Sequence, residues 1–196
     1  MQSNILNTKE HVNMRPGFAL LTLISLSAML IAAESSAPKV VHQNAFSVAG
    51  IEVRTSNAKE MTSDGVIGKQ WQKFFQEGVL EKIPNKLGSN IYAVYSDYAS
   101  DYNGEYSLTI GAKVADGSPV PAGLVLKTIP AGNYAVVTSD KGPVVKVVTA
   151  AWQRVLGLEQ KKALGGTRAY KADFELYDQL AANPQDSQVD IYLGLK

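Results

Sequence analysis

A chain of 196 residues with 45% hydrophobic and 19% charged side chains suits one globular domain, or two small ones, with a core large enough to fold unaided, and is not the composition of a disordered protein. It contains no cysteine, which excludes disulfides and thiol chemistry. Of its 19 basic and 18 acidic side chains, only Lys9, Arg15 and Glu10 fall in residues 1–33, so residues 34–196 are neutral, without the basic footprint that a phosphate backbone requires, and no nucleic acid is expected as a partner.

The N-terminus reads as a targeting segment. Met14-Arg15 leads into Phe18 to Ala33, an uncharged and mostly apolar run, followed by small residues from Ala32 to Ala37. The run is shorter than the ~20 residues of a bilayer span, so a signal peptide over 1–33, cleaved after Ala33, is expected, with a retained anchor over 18–33 as the alternative. Met14 is a possible start. The mature form is then periplasmic or secreted, without a membrane span.

Residues 34–44 are expected to be a flexible leader. Ala45 to Thr55 has the pattern of a strand, with Ala49-Gly50 suggesting a bulge. Thr62-Ser63-Asp64 offers capping chemistry for a helix in which Ile67, Trp71, Phe74 and Phe75 recur at helical spacing before Gly78. A loop over 84–89, a strand over 91–98 and a turn over 101–104 come next. From Glu105 to Val114 apolar and polar residues alternate, which predicts a strand with one wet face. A Pro/Gly-rich connector over 116–123 leads to an extended run from Leu124 to Ser139, with Ala131-Gly132 at its middle. Pro143 opens a second helix that Gly157 is expected to close, and a polar loop runs over 158–169. Strands over 170–177 and 189–195 end the chain.

That order is strand, helix, strand, strand, twice over. Ala49-Gly50 matches Ala131-Gly132 at an offset of 82, Trp71-Gln72-Lys73 matches Trp152-Gln153-Arg154 at 81, Tyr95 matches Tyr177 at 82, and Leu108 to Lys113 matches Ile191 to Lys196 at 83. These matches predict an α+β fold: a duplicated β-α-β-β unit with pseudo-twofold symmetry, repeat one over about 45–115 and repeat two over about 124–196. The product is an antiparallel sheet with two main helices and a groove where the copies meet.

Asp173-Phe174-Glu175-Leu176-Tyr177 is the stretch that carries chemistry. Alternation puts Asp173, Glu175 and Tyr177 on one face and Phe174 and Leu176 on the other. At the offset of 82, Tyr177 corresponds to Tyr95 while Glu175 corresponds to Ala93, so the repeat is broken at one charge. Tyr95 and Tyr177 share the faces of positions 93 and 175, and Trp71 and Trp152 hold equivalent places on the helices. An acid in an apolar crevice gains most from a cation, and aromatic walls add cation–π attraction. Glu175, Tyr177, Tyr95, Trp71 and Trp152 are therefore the expected ligand-binding residues. For Tyr98, Tyr102 and Tyr106, packing is the expected role.

Residues Ile91 to Tyr98, Ser100 to Tyr106, Ile129 to Val136, Asp173 to Tyr177 and Val189 to Lys196 resemble the GyrI-like effector-binding domains of bacterial drug-sensing regulators, and within them the integron-associated effector-binding proteins. The resemblance covers about residues 45–196. It implies two such units side by side and a central groove for lipophilic cations, whose key acid lies in the penultimate strand and matches Glu175. Family members are often fused to a helix-turn-helix domain; the reading of residues 1–44 as signal and leader leaves no room for one, and export would separate the domain from transcription.

The function expected is an exported small-molecule binding protein for lipophilic, cationic and aromatic compounds. The alternative, which relatives of the fold suggest, is a small hydrolase in which Glu175 serves as general base on water, aided by Tyr177 or Tyr95. No cofactor is expected. His11 and His42 are the only histidines, so neither a metal centre nor a histidine-based triad is expected.

Overall fold

The computed structural model describes residues 38–196; the expected signal peptide, its cleavage point and the possible anchor lie outside the described residues. The strands are β1 (Lys39–Gln43), β2 (Phe46–Ser56), β3 (Ile91–Ser96), β4 (Glu105–Val114), β5 (Val125–Ile129), β6 (Gly132–Thr138), β7 (Arg168–Tyr177) and β8 (Asp190–Leu195). The helices are α1 (Asn57–Glu60), α2 (Ile67–Gln76), α3 (Val79–Lys82) and α4 (Val144–Gln160). All strand pairs are antiparallel, in the order β1-β6-β8-β7-β3-β4-β2-β5. The chain is α+β, as its periodicities predict.

The two ends of that order are joined by the chain itself. Only Asn44 and Ala45 separate β1 from β2, and only Pro130 and Ala131 separate β5 from β6. Pairing keeps one register across both breaks, from Gln43↔Gly132 to Phe46↔Ile129. A link of two residues spans at most ~10 Å, so the sheet must curl until its ends meet. The resulting two-stranded ribbon crosses the back of the central strands. Phe46 from the ribbon meets Phe174 of β7 edge-on at 5.4 Å, and Phe174 stacks on Tyr192 at 4.4 Å. This aromatic cluster, with Tyr134, Val94, Val48 and Ile129, fills the back of the sheet.

The front carries the helices. On that side α2 packs over Ala49, Ile51, Leu108 and Ile110, while Ala151 and Val155 of α4 pack over Ala135, Val137, Ile191 and Leu193. Between them, over the β3·β7 pair, lies the face of Ala93, Tyr95, Asp173, Glu175 and Tyr177.

Several expectations are corrected. The segment read as a leader contains β1, which Lys39–Gln43 forms by pairing with β6. No bulge interrupts β2 at Ala49-Gly50; Gly50 pairs directly with Gly111, and a Cβ on either would strike the opposite strand's backbone. The glycines permit a close approach of two backbones. The β4 strand has no wet face: Ser107 and Thr109 are buried beneath the folded-over ribbon, where Lys127 of β5 pairs with Glu52 at 2.5 Å and Asp97 at 2.6 Å. The cap of α2 is not drawn from Thr62 to Asp64 but from Glu60, whose carboxylate accepts from the backbone N–H groups of Val66 and Ile67. Gly157 does not close α4, which continues to Gln160 and shortens the loop expected over 158–169.

Candidate functional site

Glu175 stands in the middle of the β3·β7 pair, directly opposite Ala93. Its side chain points to the helix side and is 1% exposed. Oε1 accepts from the Tyr95 hydroxyl at 2.8 Å and from the Trp152 indole N–H at 2.5 Å, and Oε2 accepts from the Tyr177 hydroxyl at 2.7 Å. One donor comes from the neighbouring strand, one from two residues along the same strand and one from α4. Trp71, from α2, makes no hydrogen bond to the acid; it packs on the Tyr177 ring at 5.0 Å and stacks with Phe75 at 5.8 Å. Tyr95 packs in turn on Trp152 at 5.1 Å and on Tyr106 at 5.6 Å. All five residues expected at the site therefore belong to one cluster.

The expected open groove is absent at this acid. Glu175 is roofed by its own aromatic neighbours, and the half-buried Trp71, Trp152 and Tyr177 are where the cluster reaches solvent. Two surface cavities lie elsewhere: one of about 420 Å³ lined by Pro130–Tyr134, Ala169, Lys171 and Ala172 among others, the other of about 260 Å³ around Thr138, Leu176 and Gln188. Burial pushes the Glu175 carboxyl above the ordinary glutamate range, and the three donated hydrogen bonds offset only part of that. Burial, together with the charge of Glu175, likewise holds the Tyr95 and Tyr177 hydroxyls well above the usual tyrosine range. Both phenols therefore remain donors at neutral pH.

A second acid, which alternation places on this face but to which the sequence assigns no role, lies one pleat away. Asp173 is 0% exposed. Its Oδ2 accepts from Arg168 Nη2 at 2.7 Å, Arg168 Nε at 3.1 Å and the Tyr98 hydroxyl at 2.7 Å, and its Oδ1 accepts from the Gly194 N–H at 2.9 Å. Arg168 Nη1 also reaches Glu159 at 3.4 Å. The guanidinium sits against the rings of Tyr170 at 4.3 Å, Trp152 at 5.6 Å and Tyr98 at 5.8 Å. Burial pulls its pKa down, but Asp173 and its neighbours more than offset this, and the group stays charged. The geometry depends on a bulge in β7, whose register with β8 shifts between Arg168 and Asp173, with Tyr170 at φ 52°. The bulge turns Arg168 back onto the acid five residues ahead. Trp152 links the two sites, its ring against Arg168 and its N–H on Glu175.

Among the described residues no group of three or more His, Asp or Glu is arranged to hold a metal ion, and no helix is long and apolar enough to cross a membrane.

Residues 39–195 match the family model described as integron-associated effector binding protein. The chain belongs to that family. The matched range starts at the strand read from sequence as leader. The Bacillus subtilis protein YobU, which carries a provisional name as a transcriptional regulator, is 32% identical over 158 residues, covering 80% of this chain and 96% of YobU. BrlR of Pseudomonas aeruginosa, named as a transcriptional regulator, is 33% identical over 165 residues, but the match spans only 54% of its length. Among solved structures, an integron cassette protein of Vibrio cholerae is 26% identical with a TM-score of 0.61, covering 82% of this chain and 97% of the other. The structure of SAV2435 bound to tetraphenylphosphonium shares the fold, with a TM-score of 0.64 at 22% identity and 81% and 93% coverage. Membership makes this an effector-binding fold for small molecules.

Proposed function

We propose that this effector-binding protein captures lipophilic cations between α2 and α4, with Glu175 as the group that selects for charge. One observation carries the reading: Glu175 is buried with three neutral donors, and among the described residues no Lys, Arg or His pairs with it. A buried carboxylate without a counter-charge is costly, and an incoming cation supplies the missing charge where the local dielectric makes it most effective. Tyr95, Tyr177, Trp71 and Trp152 give such a ligand flat apolar walls with negative ring faces. The expected duplication adds to this, since two like units meeting at Ala93 and Glu175 would frame a ligand asymmetrically. Because the acid is roofed, binding requires the tryptophans to part. The cation then takes the place of the Trp152 N–H on Oε1.

Tetraphenylphosphonium, the compound to which SAV2435 is bound in its solved structure, is a suitable probe because its charge does not titrate. Saturable quenching of tryptophan fluorescence that weakens in Glu175→Gln supports capture. No binding by this or other cationic dyes would leave Glu175 a structural acid, and turnover of a bound compound would make it the general base of a hydrolase instead.

Export is part of the same proposal and rests on the run from Phe18 to Ala33. The neutral charge balance after residue 33 supports a small molecule over nucleic acid as partner. Mass spectrometry of the protein from fractionated cells is expected to find a mature chain beginning near Glu34 outside the cytoplasm. A full-length cytoplasmic chain would restore the role of intracellular sensor, in keeping with how YobU and BrlR are named.

A further inference from the structure

Ile67, Gln70, Trp71 and Phe74 occupy positions i, i+3, i+4 and i+7 of α2 and so form one stripe. Three of the four are apolar, and all three pack into the cluster that contains Tyr95, Tyr106, Tyr177 and Trp152. The fourth, Gln70, is 7% exposed, and its Nε2 is the one buried side-chain nitrogen or oxygen without a hydrogen-bond partner among the described residues. A primary amide in a core stripe loses its water on folding, and an unmade hydrogen bond costs more than an apolar side chain of that size would. Nothing in the fold of α2 requires it, since Leu or Met would satisfy both helix propensity and the stripe.

The packed side of α2 and the facing side of β7 thus each present a polar group that the ligand-free protein leaves without its natural complement: the N–H of Gln70 and the charge of Glu175. Gln70 is next to Trp71 in this stripe, and Trp71 packs on Tyr177, whose hydroxyl donates to Glu175. We infer that Gln70 is a specificity-determining residue of this site, and that the ligand class is a lipophilic cation bearing a hydrogen-bond acceptor, such as a carbonyl or ether oxygen, on the part that lies under α2. The inference rests on the reading of Glu175 as the cation-selecting acid. A ligand of this class satisfies both groups at once. A bare hydrocarbon cation satisfies one.

The test uses two permanently charged probes, benzyltriphenylphosphonium and its 4-methoxycarbonyl derivative, titrated into the full-length chain, Gln70→Met and Glu175→Gln, with thermal melts alongside. One net hydrogen bond predicts that the ester binds the wild type about three- to tenfold more tightly than the parent. In Gln70→Met the ester should lose its advantage over the parent, with the thermal melt reporting an intact fold. The melting temperature of that variant should hold or rise, because an unpartnered group has been removed. An ester with no advantage in the wild type, or an advantage that survives Gln70→Met, overturns the role of Gln70 while leaving Glu175 standing. Parent binding that is absent, or unchanged in Glu175→Gln, overturns the cation reading and this inference with it.

Discussion

Asp173 and Glu175 are neighbours on one face of β7, both buried and both hydrogen-bonded, yet the chain completes one site and leaves the other short of charge. Asp173 has a guanidinium, a phenol and a backbone N–H around it, so charge and hydrogen bonding are both matched internally. Glu175 has three donors and no counter-ion among the described residues. Hydrogen bonding is satisfied there; charge is not. Buried acids of the first kind hold a fold together, and those of the second kind are candidates for an external partner. Having both on one strand gives the molecule its own internal control.

The largest expected effect breaks the completed site. Arg168→Met keeps much of the apolar stem but leaves Asp173 as an unpaired charge in the interior, which is expected to cost about 3–5 kcal/mol of stability by denaturant titration. Adding Asp173→Asn should recover a good part of that loss. If the single variant were nearly as stable as wild type, Asp173 would not be the matched partner in this comparison.

At Glu175 the two substitutions should separate structure from function. Glu175→Gln keeps an oxygen for Tyr95 and Trp152 and places an amide N–H₂ toward Tyr177, whose hydroxyl can rotate to accept. Stability should stay within about 1 kcal/mol of wild type, while affinity for tetraphenylphosphonium should fall by about 1.5–3 kcal/mol. Glu175→Ala strands three buried donors and is expected to cost about 2–3 kcal/mol of stability. A large stability loss in the Gln variant, with cation affinity unchanged, would move Glu175 into the same structural class as Asp173.

Protonation offers a finer version of the same test. Burial raises the Glu175 carboxyl above the ordinary glutamate range. A raised acid makes its favourable contribution to folding when protonated, so that contribution is complete below the ordinary glutamate pKa of ~4.3 and is lost as pH rises through the raised value. Cation binding has the opposite sign. Tetraphenylphosphonium affinity should decline as pH falls through that raised value, at a pH where an exposed glutamate is still charged. Calorimetric titrations across this window should show the decline in wild type and none in Glu175→Gln.

Much of the Glu175 site was legible from sequence because its parts obey short rules. Alternation placed the acid and Tyr177 on one face, an offset of 82 brought in Tyr95, and an offset of 81 paired the two tryptophans. The Asp173 site was not legible in the same way. Arg168 reaches its partner only through a bulge at Tyr170, and no local pattern announces a register shift. The first strand has no local signal for a related reason: Lys39–Gln43 is short and largely exposed, and what makes it a strand is pairing with a segment some ninety positions away. The cap of α2 was misplaced because Glu60 lies a full turn and a loop before the helix it caps. The roof over Glu175 had no signal at all, since a sequence carries the identity of wall residues but not whether they stand open or closed.

The smallest expected effect concerns that roof. Phe75 is 64% exposed, an unusual position for a phenylalanine, and its ring lies nearly parallel to that of Trp71, at 21°. The two rings stand at positions i and i+4 of α2, so the pair is fixed by the helix rather than by the core. Trp71 alone bridges this outer ring to Tyr177 and thence to the acid. If a cation enters past Trp71, it meets Phe75 outside and Tyr177 inside, and Trp71 contributes at both stages. Phe75→Ala removes only the outer ring and, being exposed, should leave stability unchanged within about 0.5 kcal/mol. Tetraphenylphosphonium affinity should fall by about 0.5–1 kcal/mol, the scale of one exposed cation–π contact, with the loss carried in association as well as dissociation rates. Trp71→Phe should lose more, up to about 2 kcal/mol, because Trp71 is the more buried of the two rings. Stopped-flow fluorescence from Trp152 in the Trp71→Phe background reads both rate constants. Equal affinity in Phe75→Ala and wild type would confine the ligand to the inner aromatic shell and make the exposed ring irrelevant to capture.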